Sequence, residues 1–106
     1  MSAATIALLN DLARVTLADC RVVITAGIAA LDDLDAVIAK VSAFNDFNER
    51  NDPYGEHDFG AFEHAGQTLF WKIDTYDLDL CMMASPDPAD PTVTARVLTV
   101  MLAEEY

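Results

Sequence analysis

The chain has 106 residues, 53% hydrophobic and 23% charged, with six basic residues against eighteen acidic ones and a net charge of −12 at pH 7. That length fits one domain, 1–106, and the apolar fraction is too high for a disordered chain. The shortage of Lys and Arg argues against direct binding to nucleic-acid phosphates and against docking on an anionic membrane.

Residues 3–16 repeat apolar side chains every three positions, Ile6, Leu9, Leu12 and Val15, and predict a helix buried along that row. Met1 to Val15 has no basic leader, and Asn10 and Asp11 interrupt its apolar run, so it does not read as a signal peptide. Val22, Val23 and Ile24 mark a buried strand over 21–25, with Gly27 as the turn after it. The nearly apolar run 22–31 is too short to span a bilayer, so a soluble, cytoplasmic protein is expected. Asp32, Asp33 and Asp35 suit the start of a helix that continues through Leu34, Val37, Ile38, Val41 and Phe44 and ends near Phe47.

A polar loop follows over 45–56. Two strand-like runs, about 57–64 and 67–75, meet at Ala65-Gly66 and predict a β-hairpin. A two-residue turn sets the register: Phe62 opposite Leu69, Gly60 opposite Trp71, Phe59 opposite Lys72 and His57 opposite Asp74. Trp71 then covers the bare backbone of Gly60. A short run over 78–83 is a candidate further strand. Asp90-Pro91 reads as the start of a last helix over 91–104, burying Val93, Val97, Val100 and Met101. The expected fold is α+β, with three helices on one face of a three- to four-stranded, mostly antiparallel sheet that contains the hairpin.

Three stretches together resemble a known family: Asn51 through Gly60, then Phe70-Trp71-Lys72-Ile73-Asp74, then Ser85 through Pro91 followed by Arg96-Val97-Leu98-Thr99. It is a family of small proteins containing a domain of unknown function, found mainly in alphaproteobacteria. The resemblance spans roughly 5–106 and implies a bacterial source; it assigns no activity and no acting residue.

His57, with Glu56 beside it and Asp74 opposite, is the only grouping that suggests acid–base chemistry, and it lacks a neighbouring Ser or Cys nucleophile. His64 lies seven positions from His57, so a regular strand points the two apart, and no zinc set forms. The loop from Asp46 fails as a calcium loop, with Asn51 where Gly is needed and His57 where the closing Glu belongs. Cys20 and Cys81 read as small core residues, with a disulfide between them left open. No cofactor or metal is expected.

Acid is concentrated in the second half, where eleven acidic residues face two basic ones from 51 onward. The hairpin brings Asp52, Glu56 and Asp58 towards Asp74, Asp77 and Asp79, and these six form the expected contact patch for a partner. Carboxylates so arranged suit an inhibitor that takes the place of phosphates on a basic nucleic-acid-binding protein or nuclease complex, as small acidic anti-CRISPR and anti-restriction proteins do. Two alternatives stand beside it. One is a non-catalytic, homo-oligomeric adaptor, dimeric through Phe59, Phe70, Tyr54 and Tyr76. The other is a small hydrolytic or metal-dependent enzyme centred on His57.

Overall fold

The computed structural model describes residues 3–78 and 83–106. In chain order its elements are α1 (Ala3–Thr16), β1 (Cys20–Ile24), α2 (Ala26–Ala30), α3 (Leu34–Ala43), β2 (Phe59–His64), β3 (Gln67–Asp77) and β4 (Thr94–Leu102), closed by a single 3-10 turn, Ala103–Glu105. The strands form one mixed sheet in the order β1-β4-β3-β2, parallel between β1 and β4 and antiparallel elsewhere. This is the expected α+β architecture of three helices and a four-stranded sheet.

The hairpin is built as its sequence demands. Ala65 and Gly66 both take positive φ, 53° and 76°, which matches the twist of the strands on either side. Glu63 pairs with Thr68, Phe62 with Leu69, Gly60 with Trp71 and Phe59 with Lys72, the predicted register. A Cβ at Gly60 would run into the Trp71 indole and come within 2.7 Å of the Phe44 ring, so only glycine lets that ring lie flat on the strand.

Alternation along the strands divides the sheet. Leu69, Trp71 and Ile73 of β3 and Leu98 and Val100 of β4 pack with Ile28 of α2 and Val37 and Val41 of α3 into one buried core. Phe44 and Phe47 extend it, each meeting Trp71 edge to face. The other face carries Phe59, Phe70, Met101, Val97 and Val23. No helix among the described residues lies over it.

Five expectations are corrected. The helix expected over 91–104 is strand β4, at the centre of the sheet. Both faces of a central strand meet apolar neighbours, so the period of two is blurred, and Val93, Val97, Val100 and Met101 mimic a helical row. Asp90 does not cap a helix; its carboxylate accepts hydrogen bonds from the Thr92 amide and hydroxyl and shapes a turn. α1 is a helix, but its phase differs: Ile6, Ala7, Asn10, Ala13 and Arg14 face inward, while Leu8, Leu12 and Val15 are more than half exposed. Gly27 lies inside the short helix α2, where a Cβ would come within 2.6 Å of Glu105 and Leu102. α3 also stops short of Phe47, because Phe44 is extended (ψ 132°). The candidate strand over 78–83 falls largely outside the described residues, as do Asp79 and Cys81; at its margin Ala84 forms one bridge with Tyr76.

Candidate functional site

The loop 45–58 is folded around Asp52. The Asp52 carboxylate is buried and accepts the backbone amides of Glu56 (2.9 Å) and His57 (3.1 Å), as an Asx-type clamp does in a tight turn. Gly55 and His57 take positive φ, 68° and 55°. This twist turns His57 out of the hairpin, so its ring does not face Asp74. Its Nδ1 lies 3.0 Å from an Asp11 carboxylate oxygen, its Nε2 lies 3.7 Å from Asp52, and its face stacks on Phe47 at 3.8 Å. Asp74 pairs instead with Lys72 at 3.1 Å. Glu56, His57 and Asp74 therefore do not make one acid–base unit. Asp11 takes the Nδ1 of His57, whereas Nε2 at 3.7 Å from Asp52 makes a charge contact and not a hydrogen bond.

Three buried polar residues hold this loop to the sheet. Asn10 of α1 donates to the Glu56 carbonyl (3.0 Å) and accepts from Arg96 Nε (2.7 Å). Arg14 inserts its guanidinium beside the Phe47 and Trp71 rings and donates to the carbonyls of Val41, Ser42 and Phe44, just where α3 ends. The Val41 carbonyl also accepts the Phe44 amide (3.3 Å), and a cation at this end satisfies the remaining acceptors and the helix dipole. Asp11 joins Arg14 (2.9 Å) to His57. At the far end of the hairpin, His64 Nε2 meets Asp33 at 2.7 Å, so Asp33 serves the hairpin rather than capping α3 by its side chain.

Sequence reasoning missed Asn10, Asp11, Arg14 and Arg96. The signal was the pair of small residues, Ala7 and Ala13, on the same helical face as Asn10 and Arg14. Small side chains mark close approach, and the larger Leu9–Leu12–Val15 row drew attention away from them.

The six expected contact acids separate. Asp58 lies close enough to Asp74 to feel its charge, and Glu56 feels that of Asp58. Burial pushes the Asp58 carboxyl up, and the charges of Asp52 and Asp74 push it further, against its own backbone hydrogen bond. Burial also raises Glu56, reinforced by Asp58 and Asp52. Asp52 is enclosed and spent on backbone amides. In β3, alternation puts Asp77 on the opposite side from Asp74, and the Asp77 amide is held by the Met83 carbonyl at 2.7 Å. Asp79 lies outside the described residues. Burial and the neighbouring Asp19 raise the Cys20 thiol, which makes it a poor nucleophile. Among the described residues no group of three or more His, Cys, Asp or Glu is placed to hold a metal ion, and no helix is long and apolar enough to cross a membrane.

On the uncovered face, Phe59 and Phe70 meet edge to face at 5.0 Å, and Tyr106 closes the group at 5.6 Å from Phe70. Tyr106 itself is 76% exposed.

A family model described as a protein of unknown function, DUF3768, matches residues 24–105. The chain belongs to the DUF3768 family. The part matched to DUF3768 contains the hairpin, β4, Asp52, His57, Arg96 and the Phe59–Phe70 pair, while Asn10, Asp11 and Arg14 precede it. No curated protein and no solved structure matches the chain.

Proposed function

We propose that this protein is a non-catalytic, acidic binding module that docks on a basic protein. The observation that carries it is the helix-free sheet face, where Phe59, Phe70 and Tyr106 form one aromatic cluster. Aromatic anchors ringed by polar groups are what protein interfaces concentrate their energy in. Charge selects the partner. Two of the six basic residues, Arg14 and Arg96, are buried, which leaves Arg21, Lys40, Arg50 and Lys72 nearer the surface, and Lys72 is already paired with Asp74. Two copies carrying −12 each repel one another, whereas a surface rich in Lys and Arg attracts this one and steers its approach. A nucleic-acid-binding protein or nuclease complex has such a surface, and covering it would inhibit that complex in the manner of anti-restriction and anti-CRISPR proteins. Of the acids of the expected patch, Asp74 lies on this face, while Glu56 and Asp58 lie in the loop that leads into β2; Asp52 supports that loop from within.

The test is a tagged capture from bacterial lysate at low and high salt, with short duplex DNA as competitor. Two variants accompany it: Phe59→Ala with Phe70→Ala, and Glu56→Gln with Asp58→Asn and Asp74→Asn. The expected outcome is a basic protein retained at low salt, released by salt or by DNA, and lost in both variants. Retention that ignores salt, DNA and both variants overturns the idea. Self-association that grows with protein concentration and disappears in the phenylalanine variant would favour the homo-oligomeric adaptor.

A further inference from the structure

At the opposite end of the sheet a cleft of about 620 Å³ opens between α1, the start of β4 and the residue after β3. Its apolar walls include Leu9, Leu12, Leu78 and Pro91, and Arg96 and Asp19 border it. A cleft of this size and lining is typical of a small-molecule site. Arg96 also borders a second, shallower groove that shares Asp19 and Ala95 with the first.

The state of Arg96 is unusual in so acidic a chain. It is only 6% exposed, yet among the described residues no carboxylate pairs with it. Its Nε goes to Asn10 and one Nη to the Pro88 carbonyl, both neutral acceptors. A guanidinium has five N–H donors, so part of its fork is unused. Burial lowers its proton affinity, and no neighbouring charge offsets that. A buried cation is normally matched by an anion. Eighteen acids are available in the chain, and none of those described fills this role.

We infer that the cleft binds a small monocarboxylate with an apolar body, its carboxylate on Arg96 and its tail along Leu9, Leu12 and Leu78. Arginine pairs with a carboxylate through two parallel hydrogen bonds. Asp19 on the same wall and the overall negative charge penalise a doubly charged ligand such as phosphate. The site is separate from the aromatic face and stands or falls apart from it.

Octanoate is the probe, with octanol and inorganic phosphate as controls, each titrated into the 15N-labelled protein and followed by amide shifts. Substituting Arg96 risks unfolding, because it anchors Asn10 and the Pro88 turn. Leu12→Glu is used instead, since Leu12 is 51% exposed and lines the cleft; Leu8→Glu adds the same charge on the same helix outside the cleft, at a residue 59% exposed. Octanoate should saturate with shifts centred on Leu9, Leu12 and Ala95. Octanol and phosphate should bind at least about tenfold more weakly, the scale of one lost charge-assisted pair. Leu12→Glu should lose binding by a similar factor, and Leu8→Glu should keep it. Failure of octanoate to saturate overturns the inference. So does octanol binding equal to octanoate, or equal losses in Leu8→Glu and Leu12→Glu.

Discussion

The two faces of this sheet share four strands but are held in different ways. On the helix side, Trp71, Leu69, Leu98 and Val100 are fully buried, and Asn10, Arg14 and Arg96 thread polar bonds between the apolar layers. On the open side, Phe59 and Phe70 are half-buried, Val23 is 38% exposed, and the aromatic group is closed by a terminal tyrosine. Folding free energy therefore concentrates on one side. The other side is left free to make contacts that folding does not require, which is where a binding surface can vary without loss of the fold.

Substitutions can test that division. Trp71→Ala removes the ring that contacts Phe44, Phe47 and Arg14 and should cost about 3–5 kcal/mol in denaturant unfolding. Arg14→Met keeps much of the volume but leaves the Phe44 carbonyl at the end of α3 without its donor, at about 1–3 kcal/mol for an unsatisfied buried group. Phe70→Ala on the open face should cost about 1–2 kcal/mol, less than a fully buried phenylalanine, while abolishing partner capture. A Phe70 loss as large as that of Trp71 would mean the two faces are not distinct.

Smaller effects come from the loop and the turn. Folding raises the carboxyls of Glu56 and Asp58 above their ordinary range, so the fold favours their protonated forms. Stability should rise as pH falls from neutral through those raised values. It should fall again below the ordinary carboxylate range, where Asp90, held low by Thr92, and Glu105, held low by Thr25, become protonated. Thermal midpoints measured across this range should pass through a mildly acidic maximum. Asp58→Asn should flatten the neutral side, and an unchanged profile in that variant would place the effect elsewhere. Ala65→Asn gives the positive-φ turn position a residue that tolerates it and should gain about 0.5–1 kcal/mol without shifting the register.

The legible parts of this chain were the local ones. Ala65-Gly66 set the hairpin register because turn geometry and strand alternation agree over a few residues. β1 and the body of α3 were readable for the same reason. β4 was not, because whether Val97 and Val100 lie on a helix or a strand depends on β1 and β3, far away in sequence. The site failed similarly. Glu56, Asp58 and Asp74 do come together through the hairpin, but His57 leaves it through a positive-φ turn that has no glycine to announce it. Its partner Asp11 is 46 residues away on α1, whose inward face does not follow its largest apolar row.

The central position of β4 has a consequence for how the molecule is made. β4 lies between β1 and β3, yet it follows them both in the chain, and Cys20 pairs with Arg96. Until β4 leaves the ribosome, β1 has no neighbour and β3 has only its hairpin mate. Folding must wait for that last strand and close a loop spanning most of the chain, a high contact order that slows the step. During that wait two unpaired edges are exposed to any other strand that reaches them first. The acidic charge of the nascent chain is then its protection against itself.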